Sequence, residues 1–320
     1  MADPVTLAEL RAARDRIAGA VPRTPLLSAP LLAADLGLRS LWLKVEALLP
    51  NGAFKLRGAT NFLRVHATRA SRGVITYSSG NHAIAMAMAA QQHGIPRVVV
   101  VPVDINPVKL GLIERFGAEV HRAGTTSAQR RAKAEDLARE RGLLMMPPFD
   151  DPAIVAGQGT VGLELAEDLP TGIELLLVPC GGGGLLSGIA VAMAALRPEL
   201  EVVAVEPAGA DAMTRSLEAG QSVTVDPGAT LADGLKPTAP GRLNLELCRG
   251  RVRRGLRVED PELLQAMRQL ALDAHLVVEP SGAAPLAAIL RDPHAFAGRQ
   301  VALVLSGGNV DPAVLRLALE

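Results

Sequence analysis

The stretch Leu175-Leu176-Leu177-Val178-Pro179-Cys180-Gly181-Gly182-Gly183-Gly184-Leu185 decides the fold of this chain. A short, near-continuous apolar run such as Leu175 to Val178 is typical of a strand that is buried on both faces of a parallel sheet. The run of glycines that follows precedes a helix, so its backbone N–H groups can converge on an anion without obstruction by side chains. The stretch therefore predicts a phosphate-binding turn at the carboxyl end of a buried strand.

Two familiar nucleotide-binding motifs do not fit this glycine run. Glu201 and Glu206 belong to the next predicted strand, so neither is placed like the ribose-binding acid of a GxGxxG fingerprint, and no Lys-Ser/Thr pair follows as in a P-loop. An ordinary flexible turn is the alternative interpretation. Consecutive glycines, however, cost folding entropy unless another group must approach the backbone closely.

Strands and helices alternate on both sides of this stretch. Before it, three predicted strands are each followed by a helix that stops at a glycine: strand 74–77 with helix 81–93 and Gly94, strand 97–101 with helix 106–116 and Gly117, strand 119–121 with helix 127–141 and Gly142. A further helix is predicted over 161–168, directly before the stretch. After the stretch, the alternation resumes and ends with a strand over 301–305 and a helix from Pro312. The predicted fold class is α/β, with two doubly wound parallel-sheet units and a ligand site in the cleft at the carboxyl ends of the strands.

Balanced charge and few aromatic residues restrict the partners of the chain. Lys+Arg and Asp+Glu number 33 each and aromatic residues make up 2%, so neither a footprint for a phosphate backbone nor a platform for stacking bases is visible. No segment reaches the roughly 18 uninterrupted apolar residues of a membrane span, and the first residues carry no apolar run. We expect a cytoplasmic enzyme that acts on a small molecule, with no nucleic-acid or membrane partner. Cys180 and Cys248 fit no metal-ligand spacing and are expected to be core thiols.

A second glycine-bracketed turn, Pro50 to Ala59, presents a lysine where a helix begins. Lys55 lies between apolar Phe54 and Leu56, and partial desolvation there disfavours the ammonium form and leaves a nucleophilic amine. A lysine that forms a Schiff base needs this property. A surface lysine in an ordinary loop is the alternative that these residues alone leave open.

Two further turns carry polar side chains at predicted strand ends. Ser78-Ser79-Gly80-Asn81-His82 follows a strand and opens a helix, and its hydroxyl, amide and backbone N–H groups suit a carboxylate or a phenolic oxygen. A plain helix N-cap would explain one of these residues but not the cluster. Ser306-Gly307-Gly308-Asn309 ends the last strand, where an ordinary turn is the alternative.

Taken together, these motifs resemble the serine/threonine dehydratase and serine racemase family of fold-type-II pyridoxal-phosphate enzymes, which have a tryptophan-synthase-β-like fold. The motifs occur in the family's order between residues 50 and 309: NGAFKLRGATN, SSGNHA, AGQGT, PCGGGGLLSG, VEP, ADGLK, EPSGA and LSGGN. The resemblance implies a large cofactor-binding domain over 1–65 and 153–320 and a small mobile domain over 66–152. It also implies pyridoxal 5'-phosphate as the cofactor, and we expect a homodimer.

The resemblance assigns a role to each motif. The implied cofactor-binding residues are Lys55 as the Schiff-base lysine, Phe54, Asn81 beside the phenolic oxygen, Gly181, Gly182, Gly183 and Gly184 around the phosphate, Glu279, and Ser306 against the ring nitrogen. The implied contacts to the substrate carboxylate are Ser78, Ser79, Asn81, His82 and, on domain closure, Arg131 or its neighbour Arg130. Lys55 and Ser79 are the implied catalytic residues.

The implied reaction is α,β-elimination from a β-hydroxy amino acid, L-threonine, L-serine or 3-hydroxyaspartate, to a 2-keto acid and ammonia. Ser79 keeps an amino-acid racemase with side elimination as an alternative, because racemases of the family have a serine at this place, on the opposite side of the substrate Cα from the lysine. Pro237 speaks against the racemase, since the family's racemases have a serine there, and Ile84 replaces the usual glutamine. A β-replacement synthase and a non-catalytic homologue are the remaining alternatives.

The family's divalent-cation site is only partly present. Glu206 and the backbone carbonyl of Ala210 match it, but Ala212 replaces the expected carboxylate. Asp211 is adjacent, yet one residue along a helix turns a side chain by about 100°, so Asp211 is no automatic substitute. The sequence leaves cation binding undecided.

Overall fold

A computed structural model describes residues 4–78, 80–226 and 228–320 and contains two sheets. The strands are β1 Leu26–Ser28, β2 Ser40–Val45, β3 Val74–Tyr77, β4 Arg97–Val101, β5 Glu119–Arg122, β6 Leu144–Met145, β7 Leu175–Pro179, β8 Glu201–Pro207, β9 Val252–Val258 and β10 Gln300–Leu305. The helices are α1 Leu7–Ile17, α2 Pro30–Asp35, α3 Lys55–Val65, α4 Ala67–Ala70, α5 Asn81–Gln92, α6 Pro107–Arg115, α7 Ser127–Arg141, α8 Pro152–Asp168, α9 Gly184–Leu196, α10 Ala212–Ala219, α11 Arg242–Cys248, α12 Asp260–Leu272, α13 Pro280–Arg291 and α14 Pro312–Leu319.

The larger sheet has the strand order β1-β2-β10-β7-β8-β9, and its strands are parallel except for β1, which pairs antiparallel with β2 at one edge. Central strand β7 is covered on both sides. Leu175 and Leu177 belong to a core formed with α2, α12 and α13, whereas Leu176 and Val178 belong to a core formed with α1, α8 and α9. The prediction of a strand buried on both faces is confirmed.

The smaller sheet has the order β5-β4-β3-β6 and is parallel throughout. Val99 and Val101 point to a core shared with α3, α5 and α6, and Val98 and Val100 point to a smaller core under α7. Helices therefore cover both faces of each sheet, and the α/β fold with two doubly wound parallel-sheet units is confirmed.

A buried network of opposite charges fixes α3 at the centre of the molecule. The Arg57 guanidinium, 1% exposed, donates to the carboxylates of Glu46 and Glu164, and the Lys44 amine donates to Glu164 over 2.5 Å. Because each buried charge has an opposite partner, breaking one pair would leave an uncompensated ion in the interior. The network holds the helix whose first residue is Lys55 against β2 and α8.

One predicted boundary is wrong. The helix expected to begin at residue 161 begins at Pro152, with the side chain of Asp151 accepting from the N–H groups of Ala153 and Ile154. A Cβ on Gly157, inside the part of α8 that was not predicted, would stand 2.6 Å from Cα of Gly58, so α3 and α8 pack backbone to backbone there. Close tertiary packing therefore overrides the low helix propensity of glycine.

Candidate active site

The lysine turn and the last serine-glycine turn are clamped together by backbone hydrogen bonds. The N–H of Phe54 donates to the carbonyl of Ser306 over 3.0 Å, and the N–H of Gly308 donates to the carbonyl of Gly52 over 2.8 Å. Ala53 and Gly307 form an antiparallel bridge between these two bonds. Lys55 therefore enters α3 directly beside the carboxyl end of β10.

Burial lowers the pKa of Lys55 to about 8. Its amine donates to the carbonyl of Pro148 over 2.7 Å and lies 5.1 Å from the centre of the Phe54 ring. Within the described ranges it has no carboxylate partner that would hold it charged. An amine of this kind is neutral, and so nucleophilic, much closer to neutral pH than a surface lysine.

His82 lies beside Lys55 as a neutral imidazole. Burial and, secondarily, the nearby Lys55 ammonium lower its pKa to about 3. One ring nitrogen, Nε2, is 3.3 Å from the carbonyl of Met146, while Nδ1 is enclosed and has no partner among the residues that the structure describes. Since Nε2 can only donate to a carbonyl, the tautomer leaves Nδ1 as an unpaired acceptor.

The glycine loop 181–184 forms a cradle that side chains would fill. A Cβ on Gly182 would stand 2.4 Å from the Phe149 ring, and Gly183 has a φ of +94° with Met213 Cε 2.5 Å from the place of a Cβ. Asn244 and the N–H of Gly241 hold the carbonyl of Gly182 at 2.7 and 3.0 Å. In the described chain the N–H groups of Gly181, Gly182 and Gly183 donate to no protein group. These free donors fit a phosphate.

Ser306 is 4% exposed and follows β10 directly. Its hydroxyl makes no hydrogen bond within the part of the chain that the structure covers. A hydroxyl left unpaired at a strand end beside the lysine turn fits the ring nitrogen of pyridoxal phosphate.

Asn81 and Glu279 lie at the same place. Nδ2 of Asn81 donates to Oε1 of Glu279, and a Cβ on Gly307 would meet both atoms. Burial, with a smaller contribution from Asp233, raises the pKa of Glu279 to about 7. The expected cofactor residues Lys55, Asn81, Glu279 and Ser306 are thus brought to one cleft.

The segment Met146 to Phe149 joins the parts of the site, although no sequence motif indicated it. The carbonyl of Met146 accepts from Thr76 and faces His82, the carbonyl of Pro148 accepts from Lys55, and the Phe149 ring covers Gly182. Consecutive prolines at 147 and 148 mark a loop, but nothing in that signal assigns the loop to the site.

The residues expected at the substrate carboxylate are only partly placed here. Ser78 is half-buried with Oγ accepting from the N–H of Gly80, and Ser79 lies outside the described residues. Arg131 is exposed and pairs with Glu135 over 2.8 Å, while Arg130 donates to the carbonyl of Thr125. Neither arginine contacts the cleft residues above, although the Arg131 charge is close enough to Tyr77, at the end of β3, to act on its pKa.

The side chains expected at the cation site are bound by protein groups in this structure. Oε1 of Glu206 accepts from the N–H of Met213, and Oε2 accepts from both the N–H and the hydroxyl of Thr214. Asp211 is paired with Arg215 and Arg257. No group of three or more His, Cys, Asp or Glu side chains among the described residues is arranged to hold a metal. Both carboxylate oxygens of Glu206 are therefore bound by donors at the N-terminal end of α10.

The two sheet units and the turns between them define a class, that of fold-type-II enzymes of pyridoxal phosphate. A model of the family described as pyridoxal-phosphate dependent enzyme matches residues 17–307, and the chain belongs to this family.

Relatives with different reactions match almost the whole chain. Serine racemase of Arabidopsis thaliana is 39% identical, over 94% of this chain and 92% of the relative. The β-hydroxyaspartate dehydratase of Paracoccus denitrificans is 36% identical, over 96% of each. Among solved structures, the threonine deaminase of T.th. is 43% identical, with a TM-score of 0.90 over 96% of this chain and 99% of that one.

Proposed function

We propose that this protein is a pyridoxal-phosphate dependent dehydratase that converts a β-hydroxy amino acid into a 2-keto acid and ammonia. The observation that carries the proposal is the enclosed amine of Lys55, with its pKa lowered to about 8, beside the turn of Ser306 and the glycine loop. Relatives named dehydratase, deaminase and ammonia-lyase support elimination. The substrate class is L-serine, L-threonine or 3-hydroxyaspartate.

Each residue of the cleft has a task in this reaction. Pyridoxal phosphate, when bound, withdraws electrons from the substrate Cα and so acidifies its proton. Lys55 would hold the cofactor aldehyde between turnovers and take the Cα proton when its amine is free. The N–H groups of the glycine loop would bind the phosphate, and Ser306 would bind the ring nitrogen. Because a hydroxyl does not keep that nitrogen protonated as a carboxylate would, loss of the β-hydroxyl is favoured over a long-lived carbanion.

The start of α5 is the proposed binding site for the substrate carboxylate. Its first residues Asn81 and His82 present backbone N–H groups and a helix N-terminus, which favour an anion. Because the His82 imidazole stays neutral, it supplies no positive charge to the substrate carboxylate. The backbone N–H groups and Ser78 would therefore bind that carboxylate.

A racemase is the second candidate, supported by the relatives named serine racemase. Racemisation requires a second base on the face of Cα opposite Lys55, and Ser79 is the residue proposed for it. The two candidates differ in whether the substrate that is recovered has inverted its configuration at Cα.

One assay separates the two candidates. The holoenzyme is incubated with each enantiomer of serine, threonine and 3-hydroxyaspartate, and both 2-keto acid and the optical purity of the remaining substrate are measured. We expect keto acid from one enantiomer without inversion; inversion faster than elimination would refute the dehydratase. Lys55→Ala, the control, should abolish both keto acid and the visible band of the bound cofactor.

The assembly and location of the protein are also proposals. A homodimer is proposed from the resemblance to the family, and sedimentation equilibrium would test it. No helix in the described part of the chain is long and apolar enough to cross a membrane. A cytoplasmic location remains a prediction that cell fractionation can check.

A further inference from the structure

A chain of side-chain hydrogen bonds crosses the cleft through Asn81. Nδ2 of Asn309 donates to Oδ1 of Asn81 over 2.8 Å and to the carbonyl of Asn51 over 2.9 Å, and Nδ2 of Asn81 donates in turn to Oε1 of Glu279. Asn81 begins α5, which packs on the smaller sheet. Of its two partners, Asn309 follows β10 of the larger sheet, and Glu279 precedes α13, which packs on that sheet. The amide of Asn81 is therefore held at both ends by the opposite half of the molecule.

Glycines in the neighbouring turns leave the room that this chain needs. A Cβ on Gly307 would stand 2.4 Å from Oε1 of Glu279 and 3.0 Å from Nδ2 of Asn81. A Cβ on Gly52, whose φ is +75°, would stand 2.4 Å from Oδ1 of Asn309. A side chain at either position would collide with a member of this hydrogen-bonded chain, so the two glycines leave the room that Asn81 and its partners need.

The two partners give the amide of Asn81 one orientation. The Glu279 oxygen accepts from Asn81, and the Asn309 nitrogen can only donate to it. Nitrogen must therefore face Glu279 and oxygen must face Asn309. Nδ2 of Asn81 carries two hydrogens, and within the described residues one of them has no acceptor. A donor remains at a known place beside Gly307, the residue after Ser306.

We propose that Glu279 is a positioning residue that holds the amide of Asn81 so that its remaining N–H donates to the phenolic oxygen of the bound cofactor. The inference rests on the proposed function for the identity of the cofactor, but not for the reaction. Because a donated N–H favours the ionised phenolic oxygen, losing the orientation shifts the bound cofactor towards its un-ionised form.

The test compares Glu279→Gln with Glu279→Ala, each with Asn81 present and with Asn81→Ala. Both substitutions at 279 remove the charge, which interacts with Asp233 and Lys109, but only glutamine keeps an oxygen that accepts from Asn81. The measurement is the ratio of the two absorbance bands of the bound cofactor, ionised and un-ionised, at one fixed pH.

We expect the ratio of ionised to un-ionised cofactor to be about tenfold lower in Glu279→Ala than in Glu279→Gln, the effect of one net hydrogen bond. The two variants should coincide once Asn81 is alanine. Equal ratios with Asn81 present, or a difference that persists without Asn81, would overturn the proposal. If Glu279→Ala does not fold, Asn309→Ala replaces it, because it frees the other end of the amide and its shift must likewise vanish in the Asn81→Ala background.

This measurement does not depend on turnover. A protein that racemises or does not eliminate water would still show the shift, so failure of the dehydratase proposal and failure of the role of Glu279 are distinguishable.

Discussion

At the scale of single residues, the chemistry depends on what surrounds a side chain rather than on its identity. Lys44 and Lys55 are eleven positions apart in the sequence, yet Lys44 lies in a buried pair with Glu164, whereas Lys55 donates to the carbonyl of Pro148 and has no carboxylate partner among the described residues. A carboxylate partner holds an amine charged, and a carbonyl in a dry site does so far less. The surroundings therefore suit Lys55 to act as a nucleophile and Lys44 to form a structural ion pair.

The first prediction concerns the pH at which Lys55 reacts. Burial lowers the pKa of Lys55 from 10.5 to about 8. The fraction of Lys55 in the neutral form therefore falls about tenfold for each pH unit below 8, and well above pH 8 nearly all of the amine is neutral. The rate at which cofactor-free protein captures pyridoxal phosphate should rise with pH and level off near 8. Absorbance in a stopped-flow instrument measures the rate.

The control for this pH profile is a free lysine side chain, Nα-acetyl-lysine, whose rate should keep rising towards pH 10.5 under the same conditions. The comparison removes the titration of the cofactor itself. A protein profile that keeps rising in parallel with this amine would contradict the assignment.

Lys55 and the glycine loop could be read from local sequence, because a turn, a strand and a helix start are local patterns. The pairings between distant residues of the site could not, even where the resemblance named the residues themselves. Asn81 meets Glu279 from 198 positions away, and Lys109 meets Asp233 from 124 positions away. No periodicity records such pairs, since they arise only when two sheets face each other.

At the scale of elements, α3, α8 and α9 pack through glycines. A Cβ on Gly157 would meet the backbone of Gly58 and Arg57 in α3, and a Cβ on Gly188 would stand 2.6 Å from the backbone of Gly159. Backbones this close cannot yield as a flexible side chain would. The three helices therefore form a rigid base for Lys55, which is the first residue of α3.

The second prediction is that Gly157→Ala destabilises the protein by about 1–3 kcal/mol, the range for overpacking, because α3 must move away from α8. Thermal unfolding should show a loss of several degrees, and cofactor affinity should fall with it. Gly111→Ala is the matched control: Gly111 lies in α6 with no atom within 4 Å of a Cβ, so alanine should be neutral or stabilising by up to about 1 kcal/mol. Equal effects of both changes would refute this packing account.

The third prediction concerns α10. Because its N–H groups and the Thr214 hydroxyl satisfy Glu206, we expect neither a chelator nor added magnesium to change the melting temperature or the rate of keto-acid formation. A bound cation would stabilise the fold by about 2.7 kcal/mol at one hundred times its dissociation constant. A rise in melting temperature that saturates with magnesium would show that a site exists.

At the scale of the whole molecule, two contacts join the halves at the rim of the cleft. Asn106 and Asp311 cap α6 and α14 with one oxygen each, and they also bind each other, with the Asn106 amide donating to the Asp311 carboxylate. Nearby, the Lys109 amine pairs with Asp233. These contacts link the two halves across the cleft through side chains that touch neither Lys55 nor the glycine loop.

The last prediction separates closure from folding. Asn106→Ser keeps an oxygen that can cap α6 but lacks the amide that donates to Asp311, so α6 should survive while the closed state loses a hydrogen bond to a charged group. A bond of that kind contributes about 1.5–3 kcal/mol, and a partly exposed pair such as Lys109 with Asp233 contributes about 0.2–1 kcal/mol. We expect KM to rise roughly tenfold in Asn106→Ser and about twofold in Lys109→Met, with the melting temperature nearly unchanged.

Small-angle scattering should show a larger radius of gyration for Asn106→Ser than for the wild type without substrate. An unchanged KM together with an unchanged radius would mean that these contacts do not hold the two halves together in solution.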